Sequence, residues 1–261
     1  MGFKELNERV KEKIQKKLTP AQVVVRDVVA LKKGERVLII ANPSTAEIAQ
    51  DLYLAVKERE GVPTLIFQED KTSFDNANPE VLSAIATEPE ICFSISNIKL
   101  GKDPGATAKP YETEDGRKIT HIFDYLLDGK KNMRAIWTPG LTVDMMNRTA
   151  DIDYGELKSR CNKLEKLFKN TVRVHVTAPG GTDVYINVEG RSLMFDDGDF
   201  TKPGTGGNIP AGEVFISPVV AKTEGTIVYD GSMTFSDGDS ILETPITCVL
   251  KDGFVQKITG G

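Results

Sequence analysis

Apolar residues recur along this chain in two rhythms, and the change from one to the other divides it. Phe3, Leu6, Val10, Ile14 and Leu18 repeat at helical spacing with lysines and glutamates between them. That spacing predicts an amphipathic helix ending near Thr19-Pro20. Its interspersed acids favour docking on the protein over lying on a membrane. The stretch GERVLIIANPSTAEIAQDLYLAVKEREG then joins an apolar run at 37–40 to a helical stripe of Ala46, Ile48, Ala49, Leu52 and Val56. An unbroken apolar run suits a strand covered on both faces, and Ser44 with Glu47 has the spacing of a capping box. Strands at 64–67, 91–95 and 134–138 and helices at 79–86 and 121–127 continue the alternation. Tyr154, Leu157, Cys161, Leu164 and Leu167 mark a further amphipathic helix. Strands alternating with helices imply a doubly wound, mostly parallel sheet.

From Thr171 the period shortens to two. Val172, Val174 and Val176 alternate with Arg173, His175 and Thr177, and short strands follow between DDGD, PGTGG, YDGS and SDGDS. Closely spaced turns of this kind predict antiparallel β structure. The expected fold is therefore α/β: a doubly wound, mostly parallel sheet over residues 1–170, then a smaller antiparallel β domain over 171–261.

Composition narrows the class. A chain of 261 residues, 39% hydrophobic and 27% charged, is of ordinary globular make-up and long enough for two domains. No apolar run reaches the length of a membrane span, and the charged N-terminal stretch lacks a secretory signal. A cytoplasmic protein with no membrane partner is expected. The net charge of −5 is uneven, with six basic against twelve acidic residues from Thr171 onward. That acidic part has the wrong sign for a phosphate backbone, so nucleic acid is not expected as a partner. It suits a cation.

Cofactor motifs are few. The ANPST turn after the first strand lacks the glycines of a dinucleotide site, and there is no P-loop. Three separated cysteines and two histidines, His121 and His175, cannot make a thiolate or histidine-rich metal centre. Asp183, beside Thr182 and with Arg191 further on, reads as turn chemistry. The DDGD stretch at 196–199 reads as a solvated turn, since it lacks the calcium loop pattern. Glu213 stands apart. In GGNIPAGEVFISP, Pro210 and Gly212 restrict its turn and Val214, Phe215 and Ile216 tie its far side to an apolar strand. Such immobilisation is what a pre-organised metal ligand requires, while a hairpin acid pointing at water is the commoner reading of the same residues.

The segment GGNIPAGEVFISPVVAKTEGTIVYDGSM resembles the N-x-P-x-G-E-x-F-x-x-P region of the aminopeptidase T family of metallopeptidases, and GTDVYINVEGR is similar to an earlier part of it. The resemblance implies a metal-dependent exopeptidase that removes N-terminal residues from peptides, acting as a homodimer. It implies two divalent ions per complete site (zinc, cobalt or manganese), with Glu213 as a ligand. The family's remaining ligands, a second glutamate, two histidines, a tyrosine and an aspartate, would follow KDGFVQKITGG. The expectation is thus an incomplete version of the enzyme, with its catalytic residues unassigned. Two alternatives stand beside it: a non-catalytic scaffold or binding relative with no metal bound, and a mononuclear iron ring-cleaving dioxygenase. Enzymes acting on hydroxypyridines are similar to the same family.

Overall fold

The computed structural model describes residues 18–235 and 238–261. The amphipathic helix expected over 3–18 lies, apart from Leu18, outside them. Two compact units divide the chain: one runs to Lys158 and takes in Asp196–Gly212, and the other comprises Ser159–Phe195 and Glu213–Gly261.

The first unit is built on a parallel sheet. Its strands are β1 (Arg36–Ala41), β2 (Val62–Phe67), β3 (Ile91–Ile95), β6 (Arg134–Trp137) and β10 (Gly206–Asn208), in the spatial order β10-β6-β3-β1-β2. Side chains alternate across the pleat. Val37, Ile39, Phe93 and Ile136 therefore enter one buried cluster, while Leu38, Ile40, Cys92 and Ala135 enter another on the opposite face. Both faces are covered, which explains the unbroken apolar runs. Helices α1 (Pro20–Val23) and α2 (Ala46–Glu58) supply the first cluster with Ala21, Ile48, Leu52 and Val56, whereas α3 (Pro79–Ile85) supplies the second with Val81 and Ile85.

Several local details differ from the expectation. Helix α1 is capped by Thr19, whose side chain and that of Gln22 exchange backbone hydrogen bonds. It widens at once into π-helical turns over Val24–Val28. The sequence periodicities assign no element to this stretch, where five valines fall within the seven residues 23–29. The Ser44–Glu47 capping box does not form. Pro43–Thr45 is instead a 3-10 turn closed by Asn42 and Thr45, and α2 starts only at Ala46. Proline at the second position of the turn shifts the cap back by two residues.

Strand β10 is the larger surprise. Its sequence is Gly206-Gly207-Asn208, with no apolar pattern, yet it pairs in parallel with β6, placing Gly206 beside Ala135 and Asn208 beside Trp137. Tertiary pairing holds it, not propensity.

The second unit carries a five-stranded antiparallel sheet. The strands β7 (Arg173–Thr177), β8 (Asp183–Asn187), β12 (Thr223–Tyr229), β15 (Ile246–Lys251) and β16 (Phe254–Thr259) lie in the order β16-β15-β12-β8-β7. Strands β9 (Met194–Asp196) and β11 (Glu213–Phe215) pair with each other, and β13 (Ser232–Phe235) pairs with β14 (Gly238–Ile241), as β4 (Tyr111–Glu112) does with β5 (Lys118–Ile119) in the first unit. The strand after Glu213 is shorter than its sequence suggests, and Phe215 is exposed. With α/β and antiparallel parts both present, the fold class is as the periodicities imply.

Candidate functional site

The order of the parallel strands reverses between β1 and β3, because β1 is followed by β2 on one side and β3 on the other. In such sheets ligands bind beyond the carboxyl ends of the strands near this reversal. A buried polar network ties those ends together here. Asn42, fully buried, donates from Nδ2 to the Gln68 carbonyl at 2.9 Å and accepts at Oδ1 from the Asn97 amide at 2.6 Å. The Thr45 hydroxyl donates to the Ile95 carbonyl at 2.7 Å. Gln68 donates to the Leu100 carbonyl at 2.8 Å, so the loop over residues 97–102 is fixed from beneath. Gly101 permits this path. Its φ is +100°, and a Cβ there would lie 2.5 Å from the Ala77 amide nitrogen.

A cleft of about 580 Å³ opens against this loop, within the roughly 300–1,000 Å³ usual for small-molecule sites. Ser94 and Ser96 form its buried floor, their hydroxyls 3.0 Å apart. Trp137 and Phe123 form an aromatic wall, edge to face with centroids 6.2 Å apart. Lys99 and Lys102 line it from the loop, and His121, Asp124 and Asp128 from the turns over Ile122–Asp124 and Tyr125–Gly129. The end of Trp137 is in turn pinned by Asn208, which donates to its carbonyl at 2.9 Å.

His121 is structural in this setting. Its Nδ1 accepts from the Phe123 amide at 3.1 Å, which leaves the proton on Nε2, 3.0 Å from the Gly101 carbonyl. Both ring nitrogens are thus engaged by backbone. The ring caps the helix and clamps the loop, leaving neither nitrogen for substrate. Asp103 does the same from below, accepting from Ala106 at 2.9 Å and Ile122 at 3.1 Å.

Asp124 is shifted. The residue is exposed as a whole, but partial desolvation of its carboxyl holds it above the usual carboxylate range; His121 opposes the rise and Asp128 adds to it. A folded-state pKa above the unfolded value favours the protonated native form, so native stability falls as pH rises through that pKa. Asp124→Asn should therefore raise the melting temperature at pH 7 and leave it unchanged near pH 3, where both states are protonated. Thermal melts at the two pH values check this, and equal gains at both would refute it.

The residues singled out from sequence lie elsewhere. His175 meets Asp183 at 2.8 Å and stacks on Tyr185 at 4.0 Å, on an exposed strand surface. The Thr182 hydroxyl is engaged by the Val228 backbone. Asp197 accepts from the Asp199 amide, and Asp199 holds Lys158 and Thr201, but the stretch is not the solvated turn expected throughout: Asp196 is buried and accepts from the Asn208 amide at 2.8 Å. The Cys92 thiol is fully buried and pushed up by that burial, so it is no nucleophile.

Glu213 is the first residue of β11 and is exposed. Among the described residues no group of three or more His, Cys, Asp or Glu side chains is placed to hold a metal ion. The residues present therefore do not fit a complete metal centre, and none of the cleft chemistry above depends on one. No helix among the described residues is long and apolar enough to cross a membrane.

Sheet, polar strand ends and cleft define the first unit as a doubly wound α/β fold with a small-molecule-sized site at the carboxyl edge. The comparisons carry the description further. The family model of NicX, 2,5-dihydroxypyridine 5,6-dioxygenase, matches residues 141–261. Among solved structures, the chain is similar to 2,5-dihydroxypyridine dioxygenase from Pseudomonas putida KT2440, with a TM-score of 0.65 at 15% identity over 93% of this chain and 68% of that one. It is also similar to AmpT from Thermus thermophilus, with a TM-score of 0.61 at 16% identity over 92% of this chain and 70% of that one. No curated protein matches the chain by sequence. The likeness to aminopeptidase T is thus one of fold, and it is shared with a dioxygenase.

Proposed function

We propose that this chain belongs to a metal-dependent oxygenase of the ring-opening kind, acting on a hydroxylated nitrogen heterocycle, with Glu213 as one ligand of its metal. The observation that carries the reading is the dioxygenase family match over residues 141–261, which includes Glu213 and the whole turn that immobilises it. Iron is the metal this reading implies. A lone exposed carboxylate holds a divalent cation weakly against water, so the working site takes further ligands from outside the described residues.

A metallo-aminopeptidase is the second reading. It is favoured by the N-I-P-A-G-E-V-F-I-S-P segment and by the likeness to AmpT, and it implies zinc, cobalt or manganese. The two readings separate by reaction. The protein in its native assembly is loaded anaerobically with iron(II), or separately with zinc or cobalt, and offered 2,5-dihydroxypyridine with oxygen, or a short peptide. Iron-dependent oxygen uptake that disappears in Glu213→Gln is expected. Peptide cleavage without oxygen uptake would establish the second reading, and neither reaction under any metal would leave the chain a scaffold.

A further inference from the structure

We propose that the cleft at the carboxyl ends of β3 and β6 binds a small zwitterion with an apolar body, of the α-amino-acid class, independently of any metal bound through Glu213. Charge is the first reason. Lys99 and Lys102 come from the loop over 97–102, and Asp124 and Asp128 stand one helical turn apart on another element. None of these four makes an ion pair with another residue among the described residues, and Lys102 lies 5.4 Å from the Phe74 ring. Opposite charges on separate elements, facing a shared cleft without pairing, suit a ligand that carries both signs.

The floor is the second reason. Ser94 and Ser96 are 3% and 4% exposed, and their hydroxyls meet only each other. In such a pair one hydroxyl hydrogen bonds the partner oxygen and the other is left without an acceptor. A buried donor left unsatisfied is destabilising, and a ligand carboxylate in the cleft would accept it. The third reason is the wall: Trp137 and Phe123, with Leu127 beside them, offer an apolar aromatic surface to a side chain. A ligand's carboxylate then lies toward the lysines and serines, its ammonium toward Asp124 and Asp128, and its side chain against Trp137.

Trp137 is the single tryptophan of the chain, so its fluorescence, excited at wavelengths phenylalanine does not absorb, reports occupancy directly. The full chain is titrated with L-phenylalanine, with 3-phenylpropanoate, which lacks the ammonium, and with phenethylamine, which lacks the carboxylate. Phenylalanine is expected to bind at least about fivefold tighter than either, as partly exposed charge-assisted contacts allow. Asp124→Asn should reduce phenylalanine to the level of 3-phenylpropanoate, and the Lys99→Ala/Lys102→Ala double variant should reduce it to that of phenethylamine. Equal affinity for all three compounds, no response of Trp137 to any of them, or unaltered phenylalanine binding in a correctly melting Asp124→Asn protein would overturn the proposal.

Discussion

Arg134→Met should lower the stability of the first unit by about 3–5 kcal/mol, the range for breaking a buried charge pair from one side. Arg134 is 2% exposed at the start of β6. Its guanidinium meets Glu35 at 2.5 Å and donates to the Val29 carbonyl at 2.5 Å and the Ala30 carbonyl at 3.3 Å. Ala30 has a φ of +45°, a backbone turn that a non-glycine residue adopts at a cost. One side chain thus neutralises a mostly buried carboxylate and closes the end of the helical segment before β1. Methionine fills similar volume but leaves both carbonyls without a donor and Glu35 without its countercharge, with only the Lys32 amide still donating to it at 2.8 Å. Adding Glu35→Gln should restore only part of the loss, because it removes the charge and not the two orphaned carbonyls. Urea unfolding followed by Trp137 fluorescence reads the first unit; a loss below about 1 kcal/mol, the scale of exposed ion pairs, would contradict this account.

Gly206→Ala should be nearly as damaging, by about 3 kcal/mol, the upper end for forced overpacking. A Cβ at Gly206 would sit 2.5 Å from the Ala135 carbonyl oxygen and 3.1 Å from the Trp137 ring. The nearest obstacle is backbone of the paired strand, which cannot rotate away. Relief requires β10 to part from β6, losing the hydrogen bond from the Ala135 amide to the Thr205 carbonyl and loosening the Asn208 contact with Trp137. The variant should therefore melt earlier and show red-shifted Trp137 emission in its native state. Gly231→Ala is the control, since nothing lies within 4 Å of its added Cβ. Equal melting of both variants would mean that β10 is dispensable to the sheet.

Strands β3 and β10 mark where sequence reading succeeds and where it stops. Strand β3 lies at 91–95 as expected because Ile91, Cys92, Phe93 and Ile95 are buried on both faces, and burial on both faces writes itself as an unbroken apolar run. Strand β10 leaves no such trace: two glycines and an asparagine become a strand only because β6 offers them an unpaired edge. The turn before α2 is closed by the Thr45 hydroxyl on the Asn42 backbone and by proline geometry, which an S-x-x-E spacing does not register.

The cleft was legible in one respect only. Ser94 and Ser96 break an otherwise apolar strand at alternate positions, and two polar residues on the same face of a buried strand signal a polar surface there. What lies opposite them, Lys102, Asp124 and Trp137, comes from three further segments and is assembled only by the fold. The motif singles out Glu213, but the fold leaves it exposed, and no group of three or more His, Cys, Asp or Glu side chains among the described residues is placed to hold a metal ion.

The measurement that bears most directly on the metal reading is anaerobic calorimetric titration of the protein, in its native assembly, with iron(II) and with zinc, beside Glu213→Gln. A specific site in the unaltered protein, lost or greatly weakened in the variant, is expected, with both proteins melting alike. Identical metal binding by the two, or no specific binding by either, would remove Glu213 from any metal centre.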